Sequence, residues 1–142
     1  MSTEENKAVA RRYWEELHWG KGVGFGLEED LFALNYRHYL PGSPGPLDGK
    51  GHEHVSIRFY KDIPDAHFTV EDEIAEGDRV VNRYTLRGQS IKYGEVTITG
   101  NEIFRIADGR IAEQWSQFET LGGPQYGFVQ AAAAVALPGQ AS

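Results

Sequence analysis

Three consecutive runs in the second half of the chain alternate apolar and polar side chains with a period of two. They cover residues 80–87, 96–106 and 111–119 and are rich in β-branched and aromatic residues. This alternation predicts half-buried antiparallel strands, because successive side chains of a strand point to opposite faces of a sheet. Asp108-Gly109, between the last two runs, is typical of a tight hairpin turn. We therefore expect an antiparallel sheet with one face against a core.

Several polar side chains fall on the faces predicted to point inward. Glu102 shares its face with Phe104, and Glu119 shares the face that contains Trp115. A carboxylate that is buried without a partner costs several kcal/mol or acquires a raised pKa. The two glutamates are therefore either paired structurally or retained for chemistry. The polar and aromatic side chains on the predicted inward faces are Asn82, Tyr84, Glu102, Phe104, Trp115, Gln117 and Glu119.

Composition excludes several classes of function. The chain has 142 residues, 40% of them hydrophobic, which is enough for the core of one domain. A net charge of −7 disfavours a nucleic-acid partner. The absence of cysteine excludes disulfides and thiolate chemistry and fits a cytoplasmic location. No signal peptide or membrane-spanning run is recognised, so we expect no membrane association.

The first half of the chain predicts helices. Residues 2–20 form an amphipathic pattern that begins with Ser2 and Glu5 at capping-box spacing. Apolar spacing predicts two more helices, at residues 27–36 and 51–60. Helices followed by an antiparallel sheet are typical of an α+β fold.

The arrangement of these elements predicts a cavity. Residues 68–74 add a fourth strand. A curved antiparallel sheet wrapped on about three N-terminal helices leaves a conical cavity, and ligands prefer such concave places. Residues 1–121 form this domain. Residues 122–142 form a Gly/Ala-rich tail, with a weak helix predicted over 125–137. This segment packs on the domain, covers the pocket of a partner subunit or is disordered.

Residues 6–119 resemble the SnoaL-like polyketide cyclases of the nuclear-transport-factor-two-like superfamily. The stretches that carry the resemblance are residues 6–12, 63–65, 69–72, 76–80, 84–88, 103–105 and 108–115. The resemblance implies a cone-shaped, cystatin-like α+β barrel with a deep apolar pocket. It also implies intramolecular aldol condensation that closes a polyketide ring without a metal or cofactor.

The resemblance also implies positions for the catalytic groups. The family acid lies near the end of the last strand, four residues after a Trp, which places Glu119 at that position. Glu102 is the alternative acid, and His38, beside the position of a family histidine at Tyr39, is a candidate proton shuttle. Each of these side chains, and each candidate below, could instead have a purely structural role. The residues expected to bind substrate are Trp14, Tyr36, Tyr39, Asn82, Tyr84, Phe104, Trp115 and Gln117.

The histidines do not predict a metal site. His38, His52, His54 and His67 lack the spacing of known zinc signatures. His52 and His54 would lie about 200° apart on a helix and could not face one ion. We therefore expect no metal and no cofactor.

Three functions are compatible with the sequence. The first is a cofactor-independent cyclase or isomerase acting on a hydrophobic, polyketide-like carbonyl compound. The second is a hydrolase similar to the limonene epoxide hydrolases, although no inward Arg lies between two acids. The third is a non-catalytic small-molecule-binding or dimerisation module, since fold alone does not fix function. The outward residues expected to contact a second subunit of a homodimer are Thr85, Thr97, Thr99 and Ile103.

Overall fold

A computed structural model describes residues 1–18, 30–122 and 125–127. Within these residues the chain forms two α-helices, a short π-helix and five strands. The elements are α1 (Thr3–Arg12), the π-helix (Tyr13–His18), β1 (Phe32–Tyr39), α2 (Gly49–Asp62), β2 (His67–Glu76), β3 (Arg79–Ser90), β4 (Gly94–Ala107) and β5 (Arg110–Thr120).

The five strands form one sheet in the order β1-β5-β4-β3-β2. All neighbours are antiparallel except β1 and β5, which are parallel. Helix α1 contacts β2 to β5, and α2 contacts β1. The predicted α+β fold is confirmed, and its sheet is mixed rather than wholly antiparallel. No helix in the described part of the chain is long and apolar enough to cross a membrane.

The first helix begins as its sequence predicts. Ser2 and Glu5 exchange side-chain and backbone hydrogen bonds in a capping box. At Tyr13 the α-helix becomes a π-helix, and both Tyr13 and Trp14 are buried against the sheet. Residues 19–20, the predicted end of this helix, lie outside the described residues.

The second predicted helix is wrong over the part that the structure describes. Residues 27–29 lie outside that part, and residues 32–36 belong to strand β1. Leu34 is 100% exposed, whereas Tyr36 and His38 are buried. Pairing of β1 with β5 outweighs the local helical spacing, because propensity is weak relative to tertiary context. The third predicted helix is α2, whose N-cap is Asp48.

The predicted inward faces of β3 and β4 are confirmed. Asn82 and Glu102 lie opposite each other in the β3–β4 register, and both are buried. The turn between β4 and β5 has φ values of 51° at Asp108 and 74° at Gly109. These positive angles are the geometry that an Asp-Gly hairpin turn supplies.

A β-bulge in β5 reverses the predicted inward face of that strand. Ile106 pairs with Ile111 and Arg105 pairs with Glu113, so Ala112 is an extra residue. Ile111 and Ala112 are both buried, and beyond them the inward positions become even-numbered. One inserted residue changes the face of every later side chain, because the strand period is two.

The described part of the tail is extended and anchored to the domain. Residues 125–127 are not helical, contrary to the predicted helix over 125–137, and residues 128–142 lie outside the described residues. The Gln125 side chain binds both the N–H and the carbonyl of Thr120. The buried Tyr126 donates a hydrogen bond of 2.7 Å to Asp62 Oδ2.

Candidate functional site

A small cavity lies between α2 and the inner face of the sheet. Its volume, taken as the space open to the centre of a water molecule, is about 50 Å³. This is room for roughly four ordered waters or the end of a larger molecule. The side chains that line it are Tyr13, His38, Leu40, His52, Val55, Ser56, Phe59, Phe68, Tyr84, Glu102, Ser116 and Phe118.

Glu102 is the buried acid of this cavity. Its Oε1 accepts hydrogen bonds from Gln114 Nε2 at 2.8 Å and from Ser116 Oγ at 2.9 Å. Its Oε2 is buried and has no hydrogen-bond partner. Burial raises the pKa of Glu102 to about 8, although the hydrogen bonds from Ser116 and Gln114 lower it. Because both donors occupy Oε1, we place the exchangeable proton of Glu102 on Oε2.

A chain of buried hydrogen bonds leads to the occupied oxygen of Glu102. Ser116 Oγ lies 2.7 Å from His38 Nε2, and His38 Nδ1 lies 2.6 Å from His52 Nδ1. His52 Nδ1 also lies 3.2 Å from the Tyr36 hydroxyl, and its Nε2 lies 3.4 Å from the Tyr13 hydroxyl. The chain therefore joins side chains from β1, α2, β5 and the π-helix.

The hydrogen-bond network assigns the tautomers of both histidines. Tyr36 donates its only proton to Gln114 Oε1 at 2.6 Å, so its oxygen accepts from His52 Nδ1–H. His38 Nδ1 then accepts from His52, and His38 Nε2–H donates to Ser116. Burial lowers the pKa of His38 to about 3, which keeps its ring neutral.

This arrangement supports proton transfer at Glu102 rather than nucleophilic catalysis by Ser116. In the assigned network His38 donates a proton to Ser116, whereas a base that activates a serine must accept one. Ser116 in turn donates its own proton to Glu102. The network thus holds one oxygen of Glu102 in place and leaves Oε2 without a hydrogen-bond partner.

The described residues contain no cluster of three or more His, Cys, Asp or Glu side chains placed to hold a metal ion. His38 and His52 do approach each other closely, but the assigned hydrogen bond occupies the Nδ1 atoms of both rings.

The structure brings three of the predicted site residues to the cavity and leaves four in the packed core behind it. His38, Tyr84 and Glu102 line the cavity. The four core residues are Trp14, Tyr36, Asn82 and Phe104.

The remaining four predicted site residues lie on the outer face of the sheet. Tyr39 and Trp115 stack there with ring centroids 5.4 Å apart. Gln117 and Glu119 are exposed. The expectation that Tyr39, Trp115, Gln117 and Glu119 line the pocket is wrong, because the bulge at Ala112 turns the odd-numbered residues of β5 outward and Tyr39 follows the same face of β1.

Sequence reasoning did not assign a role to four residues of the buried network. Gln114 and Ser116 lie on the β5 face that was predicted to point outward. His52 shares a helical stripe with Val55 and Phe59, which marks it as inward-facing but does not indicate its partners. Tyr13 belongs to the apolar stripe of the first helix, which indicates a core position.

The family model described as SnoaL-like polyketide cyclase matches residues 8–124. The chain belongs to the SnoaL-like polyketide cyclase family. This membership agrees with the resemblance found in the sequence. It supports a cyclase- or isomerase-type role for the chain. A comparison with curated proteins gave no match.

Solved structures of SnoaL-like proteins share this fold. Wild-type IdmH of Streptomyces antibioticus, a proposed polyketide cyclase, is 27% identical with a TM-score of 0.69, over 80% of this chain and 91% of that one. A proposed SnoaL-like polyketide cyclase from Jannaschia sp. CCS1 is 18% identical with a TM-score of 0.70, over 82% of this chain and 86% of that one. An LEH-like epoxide hydrolase of M. tuberculosis is 14% identical with a TM-score of 0.65, over 82% and 84%. The last two likenesses concern the fold alone.

Proposed function

We propose that the protein is a cofactor-independent cyclase or isomerase in which Glu102 moves a proton next to a carbonyl group. The observation that carries this proposal is that Glu102, a lining residue of a largely apolar cavity, has a buried Oε2 atom without a hydrogen-bond partner. Catalytic acids and bases need a pKa near the working pH, and burial moves the pKa of this carboxyl to about 8. Membership of a polyketide cyclase family supports the same class of reaction.

The proposed reaction is an intramolecular aldol closure. Ionised Glu102 takes a proton from the carbon next to a carbonyl, so that a C–H bond breaks and an enolate forms. The enolate carbon attacks a second carbonyl carbon of the same molecule, which makes a C–C bond and an alkoxide. Glu102 then returns its proton from Oε2 to the alkoxide oxygen. The step needs no oxidant, reductant or co-reactant.

The size and lining of the cavity indicate how large and how hydrophobic the substrate is. A cavity of about 50 Å³ accepts the reacting end of a polyketide-like compound rather than the whole molecule. Leu40, Val55, Phe59 and Phe68 make its wall apolar. An apolar wall excludes water from the carboxylate, which keeps it a strong base. We infer a hydrophobic carbonyl compound whose bulk stays nearer the mouth of the cavity.

Nothing in the described site favours the two other functions. An epoxide hydrolase of the limonene type needs an Arg between two acids, and the described cavity wall contains no Arg. A purely structural Glu102 would be expected to have an ionic partner. Its recorded partners are the neutral side chains of Gln114 and Ser116.

Hydrogen exchange on a simple ketone tests the role of Glu102 without knowledge of the natural substrate. Wild-type protein in D₂O should catalyse deuterium uptake next to the carbonyl of cyclopentanone, followed by proton NMR. Glu102→Gln should lose this catalysis. Glu119→Gln is the matched control, since the same change on the outer face should leave the rate unaltered. Loss in Glu119→Gln with retention in Glu102→Gln would reverse the assignment.

A further inference from the structure

Most polar groups on the cavity wall already have hydrogen-bond partners within the protein. Ser116 and His38 belong to the chain that leads to Glu102, and the Ser56 hydroxyl donates to the His52 carbonyl at 2.9 Å. The Tyr84 hydroxyl differs, because it forms no hydrogen bond with any residue that the structure describes. The hydroxyl oxygen of Tyr84 is also not fully buried. Because Tyr84 lines the cavity, a molecule in the cavity can reach this oxygen.

From these contacts we propose that the Tyr84 hydroxyl is a second catalytic group, which donates a hydrogen bond to the substrate carbonyl oxygen as it becomes an enolate. This inference rests on the proposed function, since it names the partner of Glu102 in the same proton transfer. Donors that are already aimed at developing charge are among the largest contributions to catalysis.

The backbone holds Tyr84 and Glu102 side by side. Tyr84 pairs with Gly100, and Asn82 pairs with Glu102, in consecutive inward positions of the β3–β4 ladder. Tyr84 and Glu102 are therefore diagonal neighbours across the two strands. Such neighbours are about 7–8 Å apart, so a carbonyl carbon and its oxygen could lie between the two side chains. The charge of Glu102 also raises the pKa of Tyr84, in addition to the larger effect of burial, which is consistent with their proximity.

Gly100 allows the position of the Tyr84 ring. A Cβ atom at Gly100 would lie 2.7 Å from the Tyr84 hydroxyl oxygen and 2.8 Å from its Cζ atom. The ring therefore occupies the space that a side chain at position 100 would need. Glycine in a strand interior often marks such a close approach.

Glu102 and Tyr84 can be in the protonation states that a base and a hydrogen-bond donor require at the same pH. Glu102 becomes a base above its pKa of about 8. The pKa of Tyr84 lies well above its ordinary value of 10, because the ring is buried and Glu102 is near. An ionised Glu102 and a protonated Tyr84 therefore coexist at mildly alkaline pH, which provides a base and a hydrogen-bond donor together.

The other polar candidates for this role are already engaged or lie elsewhere. Asn82 Oδ1 accepts from Trp14 Nε1 at 2.9 Å, and its Nδ2 donates to the Asp72 carbonyl at 3.3 Å. Tyr36 donates its proton to Gln114. Gln117, the other amide expected to bind substrate, is exposed on the outer face.

The exchange assay on cyclopentanone separates the two proposals. Tyr84→Phe should slow exchange by about 100-fold, the size of effect seen when one oxyanion donor is removed. Its pH profile should keep the rise that ionisation of Glu102 causes. Tyr93→Phe, which removes a hydroxyl from an exposed ring, is the control and should match the wild type. An unchanged rate in Tyr84→Phe beside an inactive Glu102→Gln would overturn the role of Tyr84 and leave that of Glu102 intact.

A spectroscopic measurement observes the hydrogen bond itself. At pH 9 most Glu102 carboxyls have lost their proton, so Tyr84 is the main donor to the oxygen of bound [carbonyl-¹³C]cyclopentanone. We expect the bound carbonyl signal of the wild type to move downfield of the free ketone, and the signal of Tyr84→Phe to move much less. Substitution of 3-fluorotyrosine at position 84, a stronger donor of nearly the same shape, should move it further. Equal shifts in all three proteins would contradict the proposal.

Discussion

Glu102 faces Asn82 directly across β3 and β4, and the two buried polar side chains differ in how completely they are bonded. Both ends of the Asn82 amide have protein partners, whereas Glu102 has partners on one oxygen only. Buried polar groups are normally satisfied, and an exception needs an explanation. In the proposed mechanism, a substrate atom that meets Oε2 is the missing partner.

The rate of ketone exchange should depend on pH through Glu102. Only the ionised carboxylate can remove a proton, and burial sets its pKa at about 8. We expect the rate to rise tenfold per pH unit below pH 8 and to level off above it. Glu119→Gln should show the same profile in this measurement. A midpoint near the ordinary pKa of a glutamate would contradict the raised pKa of Glu102, and a rate that persists in Glu102→Gln would show that another group is the base.

Folding stability should fall as pH rises through the range in which Glu102 ionises. The folded state holds this proton up to about pH 8, whereas an unfolded glutamate releases it near 4.5, so the folded state binds more protons in between. His38 has the opposite effect between about pH 3 and 6.5, because its folded pKa is lowered. Between pH 6.5 and 8 the effect of Glu102 is the largest, about 1–2 kcal/mol of lost stability, while the remaining opposite effects of His38 and His54 end. Urea unfolding of the wild type at these two pH values measures it.

The matched variant for this measurement is Glu102→Gln. Its neutral amide cannot ionise, so its free energy of unfolding should change little between pH 6.5 and 8. A parallel loss of stability in the wild type and the variant would show that a group other than Glu102 causes the pH dependence.

Ser116→Ala should move the pH profile of catalysis to higher pH. The hydroxyl of Ser116 stabilises the ionised form of Glu102, so its loss raises the pKa of that carboxyl above 8. The change also leaves His38 Nε2–H without its acceptor, which should cost about 1–3 kcal/mol of stability. Ser43→Ala, which removes a hydroxyl whose hydrogen bond goes to the carbonyl of Gly45 in a loop away from the cavity, should leave the rate profile unaltered. A midpoint that stays at pH 8 in Ser116→Ala would argue against this hydrogen bond.

Gly100→Ala should destabilise the protein. The added Cβ would lie 2.5 Å from the backbone oxygen of Gln117 as well as against the Tyr84 ring, so the strand or the ring must move. Overpacking of this kind costs about 1–3 kcal/mol. Gly45→Ala is the control, since a Cβ there meets no atom within 4 Å. Equal thermal stabilities of the two variants would contradict the close packing at Gly100.

The outer face of the sheet remains our prediction for a homodimer contact. Thr97, Thr99 and Ile103 are half-buried on this face in the single chain. If two sheets pack there, Ile103→Asp should convert a dimer into a monomer in size-exclusion chromatography with light scattering. Ile57→Asp, which places the same charge on an exposed position of α2, should remain dimeric. A monomeric wild-type protein would exclude the contact.

The sequence by itself determined the features that depend on near neighbours. Alternation along β3 and β4 predicts the inward positions of Asn82, Tyr84 and Glu102, because the period of a strand is a local property. The helix start at Ser2 and the hairpin at Asp108-Gly109 follow from local hydrogen bonding and backbone angles. Family motifs such as residues 63–65, 76–80 and 108–115 predict the overall fold for a related reason, since each of these three includes a turn.

Only the tertiary structure decided which face of β5 points inward and which hydrogen bonds connect Glu102 to the other buried polar side chains. The bulge at Ala112 leaves no mark in the alternation, so Glu119 was predicted to lie in the cavity and Ser116 outside it. The contact between His38 and His52 joins a strand to a helix. Strand pairing and such contacts are set by packing between distant segments, and a one-residue shift in that pairing moves a side chain from core to solvent.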